Sequence, residues 1–241
     1  MVLSHLLNQL SDQLPISCPG CQQKSILPKQ GLCESCQNRI PAPSNQCRRC
    51  GANLAEFVPT LEECFHCRET RFYSQRVVSL GTYAETLSQW CRQIKQPGGM
   101  SLAAGLTTLL WKHKQQFIQQ WECDCIIPVP RYWVNRLDRG YHPVSVIADR
   151  LSDLSAISVS RHLVKKVIYT EKQSKLSPSE RRKNLKSAFA LSGNPDLTGA
   201  KILLVDDILT TGTTSQRIAK LLLDANAHSV HVAVIARGIG Q

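Results

Sequence analysis

The period of the apolar positions changes several times along the chain. Leu3, Leu6, Leu7, Leu10 and Leu14 recur at helical spacing, which predicts an amphipathic helix over residues 2–14 that stops at Pro15. From Cys18 to about Arg71 the chain is rich in Cys, Pro, Gly, Asn and Gln and has no long apolar run, so ordinary hydrophobic burial cannot fold it. After Phe72 the periodicity returns. Val77–Tyr83 predicts a strand, and residues 84–95 and 101–120 predict helices separated by the Pro97-Gly98-Gly99 break. There follow a strand at 124–130, a helix at 143–154, a strand near 161–168, a polar basic stretch at 169–187, a strand at 200–206, a helix at 213–226 and a strand at 229–236. Strands that alternate with helices predict an α/β fold, a parallel sheet flanked by helices. The pattern divides the chain into an N-terminal helix (1–14), a Cys-rich module (15–75) and an α/β domain (76–241).

With 241 residues the chain has enough material for a sizeable core. No apolar run approaches the length that spans a bilayer, and residues 1–14 lack the basic and apolar regions of a secretion signal, so the expectation is a cytoplasmic protein with no transmembrane segment. The 29 Lys and Arg exceed the 18 Asp and Glu, giving +11, which favours a nucleic acid or a phosphorylated ligand as partner without choosing between them.

Eleven cysteines without a secretion signal point to metal ligation rather than disulfides. Eight of them form four Cys-x-x-Cys pairs: Cys18 and Cys21, Cys33 and Cys36, Cys47 and Cys50, Cys64 and Cys67. Each pair turns two thiolates towards one point, and two pairs complete a tetrahedral sulfur shell, so the module is expected to hold two structural zinc ions. A full four-thiolate shell leaves no open position for a reacting water. Spacing leaves open whether neighbouring pairs share a metal or interleave as a cross-brace; the sequential arrangement is favoured. His66 is a weaker alternative ligand, and thiol exchange is disfavoured because four copies occur without a thioredoxin-like pattern. Cys91, Cys123 and Cys125 lie in the α/β region, where they are expected to be small buried apolar residues.

Ile202-Leu-Leu-Val205 suits a central parallel strand, and it runs into Asp206-Asp207. Ligands of open α/β sheets bind at the carboxyl ends of strands, where carboxylates can accept hydrogen bonds from a ribose diol. Thr210, Thr211, Gly212, Thr213 and Thr214 then supply hydroxyls and approachable backbone N–H groups at a helix start, which suits a phosphate dianion. A capped strand-to-helix turn would suffice for a lone Asp-Thr-Gly; the thirteen-residue block asks for more. The block resembles the binding motif for 5-phosphoribosyl-1-pyrophosphate (PRPP) of type I phosphoribosyltransferases. By that resemblance Asp206 and Asp207 hold the ribose hydroxyls, residues 210–214 hold the 5′-phosphate, and Mg²⁺ accompanies the PRPP.

Together with Ile126-Ile-Pro-Val-Pro130, Arg139-Gly140-Tyr141, Thr170, Gln173, Leu176-Ser177, Arg181, Asn184, Ala188-Phe189 and the Cys pairs, the loop makes nearly the whole chain resemble the ComF/GntX family. That resemblance implies a phosphoribosyltransferase-like protein associated with natural competence and with uptake or use of DNA. Where family members tend to read Arg-Gly-Phe-Asn-Gln, this chain has Tyr141, His142 and Pro143, which removes two side-chain amides but suits a first helical turn.

Residues 161–187 carry nine Lys and Arg against Glu171 and Glu180, a local +7 able to clamp pyrophosphate or attract a nucleic-acid backbone, or simply to stay solvated. Arg131, Arg139 and Arg181 are the candidate pyrophosphate or nucleic-acid contacts. Two readings follow. In one, PRPP bound at Asp206 and Asp207 is attacked at its anomeric carbon as pyrophosphate leaves, with no general base identifiable. In the other, the pocket is a sensor or nucleic-acid site, and the Cys module and basic segment grip single-stranded DNA beside DNA-uptake machinery proteins.

Overall fold

In a computed structural model of the chain, residues 14–40, 43, 45–54, 64–68, 72–130, 142–167 and 188–238 are described. The predicted helix over residues 2–14 and the basic stretch from 169 to 187 lie outside them, as do Arg131, Arg139 and Arg181.

The strands are β1 (Ile16–Ser17), β2 (Ser25–Ile26), β3 (Arg76–Thr82), β4 (Cys125–Pro128), β5 (Ser158–Val159), β6 (Val164–Lys166), β7 (Phe189–Leu191), β8 (Lys201–Leu209) and β9 (Ser229–Arg237). The helices are α1 (Glu34–Gln37), α2 (Phe65–Arg68), α3 (Glu85–Gln93), α4 (Met100–Gln120), α5 (Pro143–Ser155) and α6 (Thr213–Asp224). A five-stranded, all-parallel sheet in the order β3-β9-β8-β4-β5 forms the centre. Small antiparallel pairs β1–β2 and β6–β7 lie outside it.

β8 and β9 are central because both of their faces are apolar. Leu203 and Val205 face one core with Ala103, Leu106, Leu110 and Ile147 of α4 and α5, while Ile202 and Leu204 face a second core with Ile218, Ala219 and Leu222 of α6. This two-residue alternation between apolar layers is what a parallel strand covered on both sides requires. Pro143 occupies the first turn of α5, where its missing N–H costs nothing.

Two predicted strands change. The strand expected to end at Asp206 runs on to Leu209, because Ile208 and Leu209 keep their register with Ala236 and Arg237 of β9. The strand expected near 161–168 is only the short β6, paired with β7 and not with the central sheet, whose edge is instead formed by β5 just before the expected range.

The first Cys-rich stretch is continuous with the main core: Cys18, Leu32, Cys33, Cys36 and Ile40 pack with Leu87, Trp90, Ile94 and Leu106. Gly31 and Gly105 allow this docking, since a Cβ on Gly105 would stand 2.6 Å from the Gly31 carbonyl oxygen. No described helix is long and apolar enough to cross a membrane.

Candidate ligand loop and cysteine clusters

Asp206 and Asp207 sit near the carboxyl end of β8, and Val129 joins them there by donating its N–H to the Val205 carbonyl at 2.9 Å. The Asp207 N–H donates to Asp206 Oδ1 at 2.9 Å, and the Asp207 carboxylate pairs with Lys95 Nζ at 2.8 Å. Burial and the neighbouring Asp207 carboxylate push the Asp206 carboxyl well above the usual carboxylate range. The two adjacent acids therefore divide their roles: one salt-bridged, one inclined to keep its proton.

After β8 the chain turns through Thr210 and Thr211 to Gly212, whose φ of 76° lies in the left-handed region that favours glycine. Helix α6 starts immediately afterwards with Gly212 as its N-cap, which has no side chain to offer, and apart from a long 3.4 Å bond from the Thr213 N–H to Thr211 Oγ1 its leading N–H groups suit an anion. Thr211 Oγ1 and Thr213 Oγ1 lie 2.9 Å apart on the exposed side of this turn. Carboxylates for a diol and an N–H cradle for a dianion thus stand within one strand-turn-helix unit.

Three buried contacts fix the turn from behind. Gln216 accepts the N–H groups of Tyr73 and Ser74 on its side-chain oxygen at 2.5 and 2.9 Å, and donates to Ser74 Oγ at 2.8 Å. The Phe72 ring approaches the Cα side of Gly212, 3.8 Å from where a Cβ would sit. Arg237, at 5 % exposure, donates to the carbonyls of Cys50 at 2.8 Å and Leu209 at 3.0 Å, and also to those of Thr210 and Gly238. One guanidinium therefore ties a cysteine knuckle to the ligand turn.

The cysteines form two clusters, Cys18, Cys21, Cys33 and Cys36, then Cys47, Cys50, Cys64 and Cys67, each with all four sulfurs within 4.8 Å of one another. Consecutive pairs share a cluster; the pairs do not interleave. The gaps Cys21–Cys33 and Cys47–Cys67 are both 3.8 Å. Tetrahedral metal–sulfur bonds of about 2.3 Å require about 3.8 Å between sulfurs, so both clusters fit a metal ion. Hydrogen bonding from Cys50 draws the Cys47 thiol down to about 4 while Cys50 is pushed up, as expected of thiols too crowded to ionise together without a cation. Cys91 and Cys123 are buried in the core and Cys125 is partly buried at the start of β4.

Residues 99–241 match the family described as the phosphoribosyl transferase domain. The chain belongs to that family. Similarity to curated proteins extends beyond the phosphoribosyl transferase domain. Competence protein F of Haemophilus influenzae is 30 % identical over 224 residues, 91 % of this chain and 96 % of that protein. DNA utilization protein YhgH of Salmonella typhimurium is 29 % identical over 227 residues, 93 % of this chain and 98 % of that protein. Among solved structures, the glutamine PRPP amidotransferase from B. subtilis is 19 % identical with a TM-score of 0.41, covering 61 % of this chain and 30 % of that one.

Within the phosphoribosyl transferase domain, β8, the turn and α6 bring Asp206, Asp207, Thr210, Thr211, Gly212, Thr213 and Thr214 into one unit. Lys95, Arg237, Gln216 and Phe72 were not visible in the sequence as parts of this site. Lys95 offered one signal, a cation just before the Pro97-Gly98-Gly99 break. Arg237 offered none, because its partner Cys50 is 187 positions away.

Proposed function

We propose that this chain binds Mg²⁺-PRPP, or a ligand with the same 5-phosphoribosyl group, on its phosphoribosyl transferase domain and acts in the uptake or use of DNA. The observation that carries the first half is the unbroken succession of Asp206, Asp207, the left-handed Gly212 turn and the start of α6. In this reading Asp206 and Asp207 accept the ribose hydroxyls. Thr210, Thr211, Gly212, Thr213 and Thr214 hold the 5′-phosphate, with the buried Arg237 cation behind them favouring a dianion. Arg131, Arg139 and Arg181 are assigned to the pyrophosphate or to nucleic acid by their position in the sequence. Mg²⁺ would ride on the pyrophosphate oxygens and neutralise charge on the departing group. The protein's part in any transfer is to hold the anomeric carbon in line with an acceptor and exclude water.

The second half rests on likeness along almost the whole chain to proteins named for competence and for DNA utilization, and on the +11 charge. Single-stranded DNA is the proposed partner, with proteins of DNA uptake as neighbours. The two cysteine clusters are assigned to zinc, the soft-ligand d¹⁰ ion that four thiolates suit. They are structural: the first anchors residues 15–40 on α4, and the second braces the ligand turn through Cys50 and Arg237. The residues divide functionally into 1–14, a double zinc module at 15–75 and the phosphoribosyl transferase domain at 76–241.

The test is pyrophosphate release from PRPP with single-stranded DNA and free bases as acceptors. Release with one acceptor names the substrate of a transferase. No release with any acceptor favours a binding site without turnover, and single-stranded DNA affinity that does not weaken with added salt would remove the basic segment as the main DNA contact.

A further inference from the structure

A cavity of about 600 Å³ opens at the end of the sheet away from the ligand loop, between the Cys47 knuckle, the start of β3 and the last turns of α4. Arg76 begins β3 and Thr82 ends it, so this cavity lies about 20 Å along the strand from the level of the ligand loop. Among the described residues its walls include Arg48, Arg76, His113 and Lys114 and no acidic residue.

Lys114 is the informative residue. It is 7 % exposed, yet among the described residues its ammonium has no hydrogen bond or ion pair, only the Phe117 ring at 5.9 Å. Lys114 Nζ is not among the fully buried, unpartnered side-chain nitrogens, so the stem is buried while the ammonium faces the cavity with three donors to offer. Beside it the buried Nδ1 of His113 also lacks a partner. An anion in the cavity would pair with this ammonium, and the volume suits a small-molecule ligand.

The walls also specify more than an anion. Phe117 is 47 % exposed at the rim, where its ring face is open to the cavity's contents. Trp121 is held flat by His231, stacked at 4.5 Å and 10°. A bare phosphate would leave most of the space and both rings unused.

We propose that this cavity binds a nucleotide, its phosphate on Lys114 and Arg76 and its base against Phe117 and Trp121. The same chemistry is offered by a free mononucleotide and by one residue of a single-stranded DNA. The site stands apart from the PRPP reading, which concerns the opposite end of the sheet.

The probes are deoxyadenosine monophosphate, a short oligo-deoxyadenylate and inorganic phosphate, titrated calorimetrically into the full chain carrying Asp206→Asn and Asp207→Asn to weaken the loop. Adding Lys114→Met, which keeps the volume and removes the charge, weakens the nucleotide about tenfold or more, and Phe117→Ala weakens the nucleotide but not phosphate. Lys114→Met also raises the melting temperature of the unliganded protein, which shows that it folds. Tighter binding of the oligomer, lost with Lys114→Met, assigns the site to single-stranded DNA; mononucleotide binding alone assigns it to free nucleotides. The proposal is overturned if no probe binds, if Lys114→Met leaves nucleotide affinity unchanged, or if phosphate binds as tightly as the nucleotide. Loss of PRPP binding with Lys114 intact bears on the loop alone, so the two readings fail separately.

Discussion

Replacing Arg237 by Met tests whether the second cysteine cluster and the ligand turn are one mechanical unit. The side chain is buried and its guanidinium serves four carbonyls. Leu209 retains the Gly238 N–H at 2.8 Å, so the losses concentrate on the carbonyls of Cys50, Thr210 and Gly238. An acceptor left unsatisfied costs about 1–3 kcal/mol, and removing a buried cation returns part of that, for a net destabilisation of roughly 2–4 kcal/mol. For a chain of this size that lowers the melting temperature by about 5–15 °C. Freeing the backbone of one turn residue costs a further 1–2 kcal/mol on binding, about tenfold in PRPP affinity. Scanning calorimetry with and without PRPP reads both effects. A variant that melts within about 2 °C of the parent and binds PRPP equally well refutes the coupling.

Metal analysis of the purified chain is expected to give two zinc ions, and a value well under two contradicts the eight-ligand assignment. Stripping the metals with a chelator is expected to weaken PRPP binding even though no cysteine touches the ligand, and unchanged affinity in metal-free, folded protein would count against the bracing role. Burial, then the charges of Arg76 and Lys201, lowers His231 from its ordinary 6.5 to about 4. The unfolded chain thus takes up a proton that the fold refuses, so stability is full above pH 6.5 and falls by about 3 kcal/mol as the pH drops towards 4. His231→Phe keeps the Trp121 stack and flattens that acid limb; an unchanged pH–stability curve contradicts the assignment. Asp206 has the opposite sign: with its carboxyl pushed up in the fold, stability is lost as the pH rises through the raised value. Asp206→Asn therefore raises the melting temperature at pH 8 and not at pH 3.5, and equal gains at both would show that charge is not the cause.

How much was legible depends on the range of the interaction. The parallel sheet could be read because Ile202–Val205 and Val230–Ile235 are apolar on both faces, a local property of each segment. Consecutive use of the Cys pairs is favoured but not decided by their spacing, and it is the folded positions of the sulfurs that decide it. What escaped was set by partners distant in sequence. β8 runs past Asp206 to Leu209 because β9 supplies hydrogen bonds there, and no property of residues 206–209 alone announces it. Gln216 satisfies the N–H groups of Tyr73 and Ser74 across 143 and 142 positions, and in the sequence it is only a polar residue in an amphipathic helix. Lys114 likewise looked like one more surface charge on a long helix. Its burial results from the packing of α4 against β3 and the Cys47 knuckle.

Calorimetric titration of Mg²⁺-PRPP into the zinc-loaded full chain, alongside its Asp206→Asn/Asp207→Asn variant, tests the central claim most directly. Asn keeps an acceptor oxygen at both positions but removes the Asp207 charge, which strengthens a hydroxyl bond by roughly 1–1.5 kcal/mol, so the double variant is expected to bind about tenfold more weakly while melting no lower than the parent. Equal affinity in the two proteins, or no binding to the parent, would contradict the assignment of this loop to a phosphoribosyl ligand.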